Sequence, residues 1–254
     1  MDTSYLSLKG KVALVTGGSR GIGKAIALQF ADAGADVVVS SRKLPDLEGV
    51  AAEIRKKGRR GLAVAAHNGK MDELRNLVEK VKEEFGRIDI LVNNAATNPI
   101  MASVLEIDEP PFDAIMNVNV KGYFFLSQAA AKMMANQGGG VIINIASVGG
   151  ISPDPGLAAY CISKAAIIMM TKAMALELGQ YNIRVNAIAP GIVKTRFSQA
   201  LWSNERLLST ELAKMPLKRI AEPEEVAKTA LYLASDAASF MTGHAIVMDG
   251  GANL

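Results

Sequence analysis

Tyr160 and Lys164 stand four residues apart in "AYCISKAAIIM" (159–169). At 3.6 residues per turn that spacing puts both side chains on one face of a helix. A free phenol titrates near ~10, and a neighbouring cation favours the phenolate, so the pair could exchange a proton near neutrality. An ordinary helix surface also carries such pairs, and the spacing alone assigns nothing. A second group with chemical potential is "TGGSRGIG" (16–23), whose framework glycines Gly17, Gly21 and Gly23 enclose Ser19, Arg20 and Ile22. Between a strand and a helix, such a loop turns tightly, lets a pyrophosphate approach the backbone and offers N–H groups at a helix N-terminus. A third is the end of "VVVSSRK" (37–43). Ser41 stands where a carboxylate would otherwise accept a bond from a ribose 2′-hydroxyl. Arg42 follows it with a guanidinium that can fork onto a phosphate.

These residues need elements to hold them. Apolar runs short enough for strands occur at 11–17, 35–41, 61–67, 87–95, 140–147, 183–190 and 244–251. Helical spacing lies between them. In "MDELRNLVEKVKEEF" (71–85), Met71, Leu74, Val78, Val81 and Phe85 recur at three- and four-residue steps. Pro45 and Gly58 punctuate one helix, and Pro223 with two glutamates opens another. The longest helices are expected near 112–135 and 158–178. Alternation of this kind predicts an α/β fold: one Rossmann-like domain over 1–254, a doubly wound parallel sheet of about seven strands with helices on both faces. Ligands in such sheets bind beyond the carboxyl ends of the strands, where the strand order reverses.

Composition narrows the classes. The chain has 254 residues, half of them hydrophobic, and a formal net charge of +3. That charge is too weak to argue for nucleic acid or a membrane surface. The basic run "KKGRR" (56–60) reads as a solvated helix end. Cys161 is the only cysteine, and His67 and His244 are far apart, so no metal is expected. No apolar run of the length a span requires stands out, and no apolar signal core precedes the first strand. The expectation is a soluble cytoplasmic protein.

In order along the chain come T-G-x-x-x-G-I-G as "TGGSRGIG", N-N-A-G as "NNAA" (93–96), an asparagine in "NVNVKG" (117–122), a serine in "IASVGG" (145–150), Y-x-x-x-K, and P-G as "PGIVKT" (190–195). With these motifs the sequence resembles the short-chain dehydrogenase/reductase family over essentially its whole length. The resemblance implies a catalytic set of Asn119, Ser147, Tyr160 and Lys164. Tyr160 would be general acid and base, with its pKa lowered by Lys164. Ser147 would hold the substrate oxygen, and Asn119 would anchor a water leading to Lys164, leaving Asn117 as the structural member of its motif. It implies that Asn94 and Ala95 meet the adenine-side ribose. Pro190, Gly191, Val193 and Thr195 would hold the nicotinamide end, while Tyr160 and Lys164 also touch the cofactor. Two positions depart from the pattern: Ala96 replaces the last glycine of N-N-A-G, and His67-Asn68 replaces an acidic residue after the third strand, so adenine would be held there by backbone groups or by His67.

The resulting expectation is an oxidoreductase that moves hydride between NADP(H), preferred over NAD(H), and a ketone or aldehyde and its alcohol. The carbonyl reductases of animals and their bacterial relatives resemble it most. A 3-oxoacyl-thioester reductase shares every catalytic motif. A non-catalytic dinucleotide sensor on the same fold has no need of Tyr160 and Lys164 together. A substrate lid is expected over about 192–215, carrying Phe197, Leu201, Trp202, Leu207, Leu208 and Met215. A homotetramer is expected from the resemblance and from the apolar last strand, an edge that must be covered.

Overall fold

The computed structural model describes residues 4–254. Seven strands form one parallel sheet: β1 (Val12–Thr16), β2 (Asp36–Ser41), β3 (Gly61–Ala65), β4 (Ile90–Asn93), β5 (Gly140–Ile145), β6 (Ile183–Pro190) and β7 (Ala245–Met248). Their order is β3-β2-β1-β4-β5-β6-β7, so the order reverses between β1 and β4. Val15 is level with Val92 across that gap, and the ends of the two strands open into one crevice.

Side chains of β1 alternate between two cores, as a pleated strand buried on both faces requires. Ala13 and Val15 join Ile26, Phe30, Val50, Ile54, Val226 and Leu233 on one face. Those residues come from α1 (Gly21–Asp32), α2 (Leu44–Lys56) and α9 (Pro223–Ala234). Val12 and Leu14 join Leu77, Val81, Leu126, Met134, Ile167 and Met170 on the other. Their helices are α3 (Met71–Phe85), α5 (Gly122–Asn136) and α6 (Ala158–Leu178). The basic run after α2 is paired rather than merely solvated: Lys57 meets Asp32, Arg59 meets Asp36 and Arg60 meets Glu84.

The helix expected at 112–135 starts earlier and is not uniform. α4 (Glu109–Ile115) begins with prolines in its first turn, a place where proline is tolerated. A π-helical turn over Met116–Lys121 then joins it to α5. By length and composition one helix among the described residues, α6 with its extension to Tyr181, could cross a membrane, which the sequence reading had not singled out. Half of it is buried against the sheet and neighbouring helices, the position of a core helix. The remaining helices, α7 (Gln199–Trp202) and α8 (Glu205–Lys214), form the segment expected as a lid.

Candidate active site

Thr16 at the end of β1 ties the first loop to the crevice. Its hydroxyl donates to the Val92 carbonyl at 3.2 Å and accepts from the backbone N–H of Asn94 at 3.0 Å and of Ala95 at 3.1 Å. The Asn94 amide donates to the Thr16 carbonyl at 2.9 Å. Packing here leaves no room for side chains on the glycines. Gly17 has φ +64°, and a Cβ there would lie 2.6 Å from Asn94 Nδ2. A Cβ on Gly23 would lie 2.3 Å from the Gly17 carbonyl oxygen. Gly21 has φ +54° and faces Thr195. The loop after β6 thus closes over the glycine loop.

The crevice is a cleft of about 910 Å³. Every residue expected to touch the cofactor lines it except Gly23, which packs behind the loop. Arg20, Ser41, Arg42 and Lys43 lie at one end, with Asp46 from the first turn of α2 as the carboxylate among them. Neither Arg20 nor Arg42 forms an ion pair among the described residues. His67 lines the cleft, but its Nδ1 already accepts from the Gly69 N–H at 3.0 Å. Asn68 donates to the Val118 carbonyl at 2.7 Å, and its buried Oδ1 has no partner among the described residues.

Ser147, Tyr160 and Lys164 meet at the opposite end, beyond β5, three strands across the sheet from β2 and Ser41. Ser147 follows β5 and accepts from the Gly149 N–H at 3.1 Å, which fixes its rotamer at the cleft. Tyr160 and Lys164 sit in the first two turns of α6. Lys164 is 1% exposed, and its Nζ donates to the Ile145 carbonyl at 2.8 Å. It lies 5.5 Å from the centre of the Tyr160 ring. Burial pulls the Lys164 ammonium down to about 7. Burial likewise pushes the Tyr160 phenol up to about 12, against a smaller lowering by the Ser147 hydroxyl. The expected lowering of Tyr160 by Lys164 is therefore not what the protein groups alone produce. Desolvation outweighs it because both groups lose water together and Lys164 loses its own charge first.

Asn119 does not line the cleft, whereas Asn117 and Val118 do. The Asn119 side chain is buried and committed: Oδ1 accepts from the Thr97 N–H at 2.9 Å, and Nδ2 donates to the Thr97 carbonyl at 3.1 Å and to Ser163 Oγ at 3.0 Å. Ser163 in turn donates to the Tyr160 carbonyl at 2.7 Å. The π-helical turn delivers Asn119 inward, and the asparagine clamps the loop after β4 onto the helix that carries Tyr160. π-Helical turns of this sort often mark functional places in helices.

In the segment expected as a lid, only Phe197 of the six apolar residues faces the cleft; its ring centre is 5.9 Å from that of Tyr160. Met215 is buried in the body of the protein. Trp202 and Leu208 line a separate cavity of about 540 Å³, and the Trp202 indole donates to the Thr195 carbonyl at 2.9 Å. Sequence reasoning missed Thr16, although it opens the quoted glycine motif, and Ser163, three residues after Tyr160 and so on the same helix face. It also missed Asn144, which with Asn93 forms a buried amide pair at 2.9 Å beneath the site. A polar residue inside a strand run was the available signal.

A family model described as "Enoyl-(Acyl carrier protein) reductase" matches residues 17–253. The chain is 39% identical over 245 residues to "Dehydrogenase/reductase SDR family member 4" of Oryctolagus cuniculus, covering 96% of this chain and 94% of the relative. It is 41% identical over 246 residues to a 3-oxoacyl-[acyl-carrier-protein] reductase of Thermotoga maritima, covering 97% and 99%. Among solved structures it is similar to 7 alpha-hydroxysteroid dehydrogenase complexed with NADH and 7-oxo glycochenodeoxycholic acid. The TM-score is 0.95 and the identity 35%, over 99% of this chain and 97% of that one.

Proposed function

The chain belongs to the short-chain dehydrogenase/reductase family, and we propose that this oxidoreductase interconverts a small carbonyl compound and its alcohol with NADP(H) in preference to NAD(H). The observation that carries the reading is one cleft with Ser147, Tyr160 and Lys164 at one end and Ser41, Arg42 and Arg20 at the other. The residues present fit a dinucleotide. The glycine loop forms a cradle that a Cβ at Gly17 or Gly23 would fill. His67 and Asn68 both line the cleft where the adenine end would lie. Arg42 and Arg20 suit a 2′-phosphate, and Ser41 puts no carboxylate against it.

A bound nicotinamide supplies or takes the hydride. The chain's residues handle the oxygen and the proton. Ser147 Oγ orients the substrate oxygen beside the Tyr160 hydroxyl. Tyr160 gives its proton to that oxygen in reduction and takes it back in oxidation. Lys164 stands behind the phenol as donor and proton store, and Asn119 keeps the walls in register through Thr97 and Ser163. At Tyr160 the high pKa of the cleft keeps the phenol protonated, the form that reduction uses.

The Thermotoga relative favours a second reading, 3-oxoacyl-thioester reduction. Exposed apolar side chains support it: Phe197 on the cleft, and Met101 and Ile151 on loops outside its lining. Loop 96–107, which carries Met101, is tied to the 151–156 loop by the Ala102 N–H bond to Gly156. Steady-state rates with NADPH and NADH on ketones, aldehydes and 3-oxoacyl thioesters test both readings. The expected result is turnover with kcat/KM higher for NADPH, and Ser41→Asp reverses that order. A parent ratio below one, or a ratio unmoved by Ser41→Asp, overturns the cofactor reading. Absence of turnover across the panel overturns the enzyme reading in favour of a sensor.

We also propose a homotetramer. Phe124 and Phe125 on α5, and Met169 and Leu176 on α6, are exposed although α5 and α6 are largely apolar. Among the described residues β7 has β6 as its one strand partner.

A further inference from the structure

We infer that Tyr123 is the positioning residue for Lys164: its ring, together with the Ile145 carbonyl, holds the ammonium at the height of Tyr160. The inference rests on the reading of Lys164 as part of the reacting group, and it adds a residue that the cleft itself does not expose. Tyr123 begins α5, just past the π-helical turn, and is 0% exposed. Its hydroxyl donates to the Ile145 carbonyl at 3.5 Å, the same oxygen that receives Lys164 Nζ at 2.8 Å. A carbonyl oxygen has two lone pairs and can accept both donors. Lys164 Nζ also lies 5.8 Å from the centre of the Tyr123 ring and 5.5 Å from that of Tyr160, so the ammonium sits between two phenol rings. Both distances fall within the ~6 Å reach of a cation–π contact.

No carboxylate among the described residues pairs with Lys164. The groups facing it are Tyr160 on its own helix, Tyr123 on α5 and the Ile145 carbonyl of β5. Ser147 and Cys161 bear on it through Tyr160. A buried ammonium without a counter-ion needs a fixed carbonyl and ring faces to remain charged at all. Burial keeps the Tyr123 phenol well above its ordinary range, so it stays a neutral donor whatever the state of its neighbours. An apolar residue could fill the same space. It could not present a negative ring face to the ammonium.

The test reads Lys164 directly in the cofactor-free protein. Lysine labelled with carbon-13 at Cε is titrated by NMR, and Lys164→Met assigns the resonance. In Tyr123→Leu the Lys164 midpoint falls by roughly half a unit, the size of a weak cation–π contact. Tyr123→Phe keeps the ring and stays closer to the parent. Should the leucine variant not fold, Tyr123→Met fills the space with an unbranched chain and carries the same expectation. In turnover, the pH limb assigned to the Lys164–Tyr160 pair moves with the NMR midpoint. A midpoint unchanged or raised in the aliphatic variants, or a phenylalanine variant no nearer the parent than they are, overturns the inference. The NMR result stands even if no substrate is found, so it fails independently of the proposed activity.

Discussion

A lysine 1% exposed, with a backbone carbonyl as acceptor, is costly to keep charged. Its folded pKa of about 7 lies below lysine's ordinary value of 10.5. Below about pH 7 both folded and unfolded chains hold the proton, and the folded state bears the whole cost. Between about 7 and 10.5 the unfolded chain binds more protons, so stability rises with pH, and above that window the cost is gone. Lys164→Met is therefore expected to melt at a higher temperature than the parent at pH 6, with an advantage that shrinks as pH rises toward 10. Melting curves across that range check it; equal melting points at pH 6 contradict it. Tyr160 acts the other way and later: with a folded value of about 12 it stabilises fully below its unfolded pKa near ~10, and that contribution is lost as pH climbs through 12. For turnover, Tyr160→Phe keeps the ring against Phe197 and removes the proton. A loss of roughly 10²–10⁴-fold in kcat with nearly unchanged cofactor affinity is expected. Activity within a few-fold of the parent would remove Tyr160 from its role.

At the level of elements, the glycine loop is the most sharply constrained piece. Gly23→Ala would drive a methyl into the Gly17 carbonyl, a backbone atom that cannot swing away. Overpacking of this kind costs about 1–3 kcal/mol. A lower melting temperature and at least tenfold weaker NADP(H) binding are expected, measured by calorimetry, and an alanine variant that binds as well as the parent would show that the loop is not the cradle. The order of strands and helices was legible because periodicity is a local signal: α3 was read at its observed bounds, 71–85, and β6 at 183–190. The π-helical turn was not legible, since its six residues are too few to show a change of period, and it shows only in where Asn119 points. The lid was read by composition alone, and composition does not distinguish Phe197 at the cleft from Met215 in the core or Trp202 behind the loop. Tyr160 and Lys164 were placed by motif, but their charges depend on burial, which no spacing reveals.

For the whole molecule, the exposed apolar residues of α5 and α6 lie over one face of the sheet and Val247 of β7 at its edge, so a monomer would present more than one sticky face. Multi-angle light scattering at micromolar concentration is expected to give four times the chain mass, and a stable monomer would refute the proposal. Phe124→Glu with Leu176→Glu should reduce that mass and leave the melting of the single chain cooperative. The chain has one tryptophan, and that indole is anchored to the carbonyl of Thr195, the residue that closes over Gly21. The protein's indole emission therefore has one source, fixed to one wall of the site. Reduced nicotinamide absorbs where indole emits, so a coenzyme held in this cleft would quench that emission and emit in its place, and the unlabelled enzyme would report its own loading as a change of colour.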